Sequence, residues 1–135
     1  MGLGWFGAPE HNRWLSEETH ALLRYARTAS VPAGFGWIGA DGTVDTDRPV
    51  ELWITGRMTY AFSLGALMGI PGCRRYADHG VRALRTVMRD HVNGGWHSAV
   101  EHALDAEGHG VPVDPDGRKE LNRSEERRVG KECRS

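Results

Sequence analysis

Apolar side chains fall along this chain in three stretches of different pattern. From about Pro9 to Arg27, Trp14, Leu15, Leu22, Tyr25 and Ala26 share one side of a helix, and Arg13, Glu17, Arg24 and Arg27 decorate the other. From Arg48 to Gly72 apolar residues occupy nearly every face, interrupted by one interior charge, Arg57. That pattern predicts a helix buried all round, entered through Pro49 in its first turn and stopped by Gly69, Pro71 and Gly72. From about Cys73 to Arg89, Ala77, Gly80, Val81, Leu84, Val87 and Met88 recur at three and four, with Arg74, Arg75, Asp78, Arg82, Arg85 and Arg89 on a solvated side.

The order amphipathic, buried, amphipathic predicts a layered all-α assembly of inner and outer helices. Three helices cannot cover the circumference of the central one, so further helices are expected. The connections are loops. Pro32, Gly34 and Gly36 break the first, and Asp41-Gly42 marks a tight turn in it. This loop carries Phe35 and Trp37; loops often hold binding residues, though aromatics here can equally plug a bundle end, the role read for Phe35. Asn93-Gly94-Gly95 is a turn, Trp96 to Val100 reads as a short strand, and Asp105 to Gly117 reads as a loop or small hairpin. Arg118 to Leu121 looks like the opening of another helix. Asn122 to Ser135 holds one aliphatic residue and no periodicity, which predicts a disordered tail.

Composition narrows this little. At 135 residues the chain is enough for one domain, and a net charge of −1 advertises neither a nucleic-acid nor a membrane surface. Cys73 and Cys133 match no metal or redox spacing, so a reducing compartment fits better than a disulfide framework. The start, Met-Gly-Leu-Gly-Trp-Phe-Gly, lacks the features of a secretory signal or myristoylation site, and no apolar run reaches membrane-spanning length. A soluble, cytoplasmic protein is the expectation.

The candidate chemistry lies on the central helix. Trp53, Arg57, Tyr60 and Leu64 fall at i, i+4, i+7 and i+11, one continuous stripe. Aromatic rings pack on the C–H face of a pyranose, and a guanidinium fork between them can hold hydroxyl or carbonyl oxygens. The structural alternative is a buried arginine paired with a carboxylate, such as Glu51 or one from the next helix. Seven histidines form no His-x-x-x-His pair and accompany no Cys-x-x-Cys or His-Glu-x-x-His, so no metal is expected and they read as surface residues. There is no Gly-x-Ser-x-Gly elbow and no phosphate-cradling glycine loop; Glu101-His102 are sequence neighbours that rarely face one another.

The run Pro49 to Leu67, with Gly56-Arg57-Met58 as its most specific piece, then Asp78-His79-Gly80 and Gly94-Gly95-Trp96, resembles the N-terminal part of the N-acylglucosamine 2-epimerase family, in its mannose isomerase and sulfoquinovose isomerase branch. The resemblance spans about Trp14 to Leu121, including Trp37 and Asp114 to Glu120. It implies an (α/α)6 barrel, of which residues 9–121 are an N-terminal part, with residues 122–135 foreign to the family. It implies cofactor-free aldose–ketose isomerisation or 2-epimerisation of a monosaccharide, by histidine acid/base chemistry through an enediol. By position, Arg57 matches the arginine that binds sugar oxygens, with Trp53, Tyr60 and Trp96 near the cavity. None of the seven histidines matches the family's catalytic ones, so no catalytic residue is assigned, and a fragment inactive alone, aggregating or molten, is expected. A non-enzymatic helical carbohydrate-binding or interaction module that uses the same stripe is the competing reading. So is a small helical domain whose aromatics are only core.

Overall fold

Pro9 opens the first helix, α1 (Pro9–Ala26), at the position where its missing N–H costs nothing. The structure, a computed structural model, describes residues 4–115. The expected helix opening at Arg118–Leu121 and the expected tail over residues 122–135 lie outside the described residues. The face that α1 packs is not the one its apolar stripe predicts. His11 and Leu23 are buried, whereas Trp14, Leu15, Leu22 and Tyr25 are exposed. Among the described residues α1 packs on the short 3-10 turns that flank it and on α2, which leaves most of the stripe uncovered. His11 is thereby a buried histidine rather than a surface one, stacked on Trp5 at 3.8 Å.

The first connection contains more order than a loop. A short 3-10 turn leads into a small hairpin, β1 (Ser30–Val31) with β2 (Gly34–Phe35). Gly34 has φ +147° and sits against Thr55, whose Oγ1 would lie 2.8 Å from an added Cβ, so no larger residue fits without displacement. Phe35 is fully buried as expected, stacked on Phe62 at 5.5 Å and edge-on to His79 at 5.4 Å. The Asp41-Gly42 turn forms as predicted, closed by the Ile38–Val44 bridge.

The central helix differs from expectation at both its start and its surroundings. Val50 and Glu51 form a strand, β3 (Val50–Glu51), paired antiparallel with Val100 and Ala99, so Pro49 precedes a strand and the helix, α2 (Leu52–Leu67), begins at Leu52. The ladder claims the backbone groups that an earlier helix start would have used. Nor is α2 buried all round. Thr55, Thr59, Phe62 and Gly65 are buried, while Tyr60, Leu64 and Leu67 are exposed.

The buried face of α2 packs on α3 (Cys73–Arg82), joined through a turn in which Gly69 and Gly72 take positive φ. After Arg82 the predicted helix does not continue as α. Residues Ala83–Val87 form a π turn, with Met88 N–H donating to Ala83 O at 2.9 Å. The extra residue per turn rotates the side chains beyond it. Val87 and Met88 are fully buried, as the stripe predicts, and so is Ala83 at the start of the turn, while Val81, which precedes it, is exposed.

Two cores result. One joins Leu23, Ala29, Phe35, Phe62, Ile70, Cys73 and Ala77 between the helices. The other joins Ala33, Val50, Val87, Met88 and Val100 beneath a three-stranded antiparallel sheet, β3–β4–β5, of β4 (Ala99–Leu104) and β5 (Gly110–Pro112). The hairpin expected near residues 95–117 is present as β4–β5, its strand starting three residues later than predicted. No helix among the described residues is long and apolar enough to cross a membrane.

Candidate functional site

The stripe predicted from spacing is a real face of α2, and it is the open one. Trp53 is half-buried, Arg57 and Tyr60 are exposed, and Tyr60 retains 67% of its surface. Gly56 lies on the same side, and a Cβ built there meets nothing within 4 Å, so a ligand can approach the backbone beside Arg57. The Arg57 guanidinium sits 5.2 Å from the Trp53 ring centroid, within range of a cation–π contact. It is not the buried half of an ion pair. Among the described residues the ion pair is the exposed Arg74–Asp78, and Glu51 is occupied differently.

Glu51 ends β3 and precedes α2, which places its side chain beside the first turn of the helix. Its Oε2 accepts the indole N–H of Trp53 at 2.9 Å and that of Trp37 at 3.1 Å. The two rings stand edge to face, 5.8 Å apart at 74°. Arg48 lies over the Trp37 ring at 3.8 Å. The loop tryptophan and the helix tryptophan thus meet at one carboxylate at the mouth of α2, each with a guanidinium against its ring. In the sequence Trp37 is a loop aromatic within the family resemblance and Glu51 a candidate partner for Arg57, and nothing there joins the two. Nothing periodic links positions 14 residues apart.

Trp96 is placed differently. Its N–H donates to Leu84 O at 2.8 Å and its ring packs on the second core, with Arg89 5.5 Å above it. Its role here is to hold the π turn on the sheet. The histidines are similarly engaged. His79 donates from Nε2 to Gly34 O at 2.9 Å, which leaves Nδ1 to accept from Arg82 at 3.2 Å. His102 Nε2 donates to Arg48 O, and His91 Nε2 donates to Thr86 O while stacking on His109 at 3.9 Å. No group of three metal-ligating side chains occurs among the described residues.

Hollows among the described residues also lie outside the stripe, two of them of note. One, of about 410 Å³, is lined chiefly by Leu22, Tyr25, Trp37, Ile38, Ile54 and Met58; the Tyr25 hydroxyl in its wall already donates to Gly39 O. An apolar wall of this kind offers a polyol few partners. The other, of about 370 Å³, lies on the outer side of α3 against Asp78, Arg82 and Arg85.

The family model for N-acylglucosamine 2-epimerase matches residues 33–110, which include Trp37, Glu51, Trp53, Arg57, Tyr60 and Trp96. A D-mannose isomerase of Thermobifida fusca is 38% identical over 98 residues, 72% of this chain and 24% of that protein. A D-mannose isomerase of Pseudomonas cannabina pv. alisalensis is 36% identical over 96 residues, 71% of this chain and 23% of that protein. The chain spans about a quarter of the length of these curated relatives.

Proposed function

Because this chain belongs to the N-acylglucosamine 2-epimerase family, we propose that its open α2 stripe is the sugar-binding wall of an aldose–ketose isomerase or 2-epimerase. D-Mannose is the first substrate to test, from the names of the relatives. In this reading residues 9–121 contribute the first helices of an (α/α)6 barrel, with α2 on the inside, and residues 122–135 are foreign to the family. The protein works in the cytoplasm. The observation that carries the proposal is Arg57, an arginine without a carboxylate partner among the described residues, flanked by Trp53, Tyr60 and the bare backbone of Gly56.

The chemistry derives from those groups. Moving a carbonyl between adjacent sugar carbons begins with loss of the proton next to the carbonyl, which leaves negative charge on oxygen in an enediolate. A guanidinium fork in a closed, dry cavity stabilises that charge with donors that need no reorganisation. Trp53 and Tyr60 offer ring faces to the C–H side of the sugar, with Trp96 near the same cavity. The proton itself is carried by histidines other than the seven in this chain, none of which matches the family's catalytic ones. Four of the seven histidines in this chain support that division, since His79, His91 and His102 are bonded to backbone carbonyls and His11 is buried against Trp5.

The test is D-mannose binding followed by intrinsic tryptophan fluorescence, alongside an assay for D-fructose formation. Arg57→Ala is expected to weaken binding about 10- to 100-fold, the worth of a hydrogen bond to a charged group. Binding indifferent to Arg57, or no binding at all, overturns the sugar site. Turnover by this chain alone overturns the assignment of proton transfer to groups elsewhere.

A further inference from the structure

We infer that Glu51 is a positioning residue for the sugar wall, one carboxylate oxygen that sets the planes of Trp37 and Trp53 and so brings the loop over residues 36–48 into the site. This rests on the function proposed above. An indole carries one N–H, directed in the plane of its ring. Two such donors ending on Glu51 Oε2, at 3.1 and 2.9 Å, fix where each ring edge points. The edge-to-face contact at 5.8 Å then limits rotation of either ring about that axis. Arg48, over the face of Trp37 at 3.8 Å, pulls on the ring electrons and strengthens the N–H as a donor, as coupled hydrogen bonds do.

The anchor is itself well fixed. Glu51 pairs with Ala99 through the ladder and stands at the helix N-terminus, where backbone donors favour a negative charge. It makes no side-chain capping bond there, so its carboxylate is committed to the two indoles. Substitution accordingly removes neither a ladder bond nor a cap. A sugar wall needs ring planes held to within tens of degrees, and supporting contacts of this type provide that.

The experiment uses the full chain, with indole ¹H–¹⁵N resonances and a D-mannose titration read on the same samples. Glu51→Ala is expected to move the Trp37 and Trp53 indole resonances together, leave that of Trp96 in place, and weaken D-mannose binding about tenfold, the lower end of the loss seen when a partner that orients ligating groups is removed. Glu51→Gln, which keeps an acceptor oxygen, should restore most of the affinity. Trp37→Phe, which leaves Glu51 and α2 intact, should weaken binding as well. Unmoved indole resonances in Glu51→Ala overturn the inference, and so do moved resonances with unchanged affinity. Wild-type chain that binds no D-mannose sinks the proposed function, and the indole resonances still report separately whether the clamp exists.

Discussion

The carboxylate of Asp41 accepts the backbone N–H of Thr43 at 3.0 Å and its hydroxyl at 2.8 Å, closing the turn that carries the chain from Trp37 toward Arg48. Those bonds, the backbone one first, hold its pKa below the ordinary carboxylate value of 3.8. A group whose pKa falls on folding stabilises the fold above its unfolded value, and that contribution disappears as pH drops through the folded value. The turn should therefore loosen only in acid, below about pH 4, and the protection of the Thr43 amide relative to its intrinsic exchange rate should fall there. Asp41→Asn should remove that acid dependence, leaving Thr43 exchange governed by the ordinary pH dependence of amide chemistry. This turn is readable in the sequence, because Asp-Gly encodes it locally. The Trp53–Arg57–Tyr60 stripe is readable too, since helical spacing alone aligns it. Glu51 with Trp37 is not, because their meeting depends on where a loop without periodicity returns to the helix.

Between elements, the closest approach is that of α2 and α3. Gly80 faces Thr59 so directly that an added Cβ would overlap the Thr59 hydroxyl and lie 2.8 Å from its Cβ. In an open helix, Gly→Ala stabilises by about 0.5–1 kcal/mol through lost chain entropy. Here the sign should reverse. Gly80→Ala is expected to cost about 1–3 kcal/mol by overpacking, read from urea unfolding. Thr59→Ala combined with Gly80→Ala should recover most of it, since the two residues are in contact and their effects do not add. Pattern reading finds all three helices but misplaces what they bury. The α1 stripe implies a packed face that the described residues do not cover, and α2 is open where its pattern implies burial; the third helix does bury Ala77, Gly80, Val87 and Met88 as read, but through a π turn that no periodicity announces. Pro49 signals a helix start, yet Val50 and Glu51 are recruited by Val100 and Ala99 some fifty residues later, a pairing local propensity cannot register.

Among the described residues, several of the large apolar side chains left uncovered lie on α1 and along the open side and C-terminal end of α2. Leu22 and Met68 are exposed to about two thirds and Leu67 to 85%. Such a surface favours association, as contiguous apolar patches do. The chain is expected to self-associate with rising concentration in sedimentation velocity and to bind a hydrophobic dye. Leu67→Glu combined with Met68→Lys should reduce both without lowering the unfolding free energy by more than about 0.5 kcal/mol, the usual scale for surface changes. Unaltered association in that variant would place the sticky surface on α1 instead. The junction at Glu51–Leu52 constrains the molecule in another way. Strand runs into helix there with no intervening residue, so the phase of one dictates the phase of the other. Adding or deleting a single amino acid would turn every side chain of α2 by about 100° or flip β3 onto its other face. Chain length at that point is thus as strictly fixed as any side chain, and indels belong elsewhere.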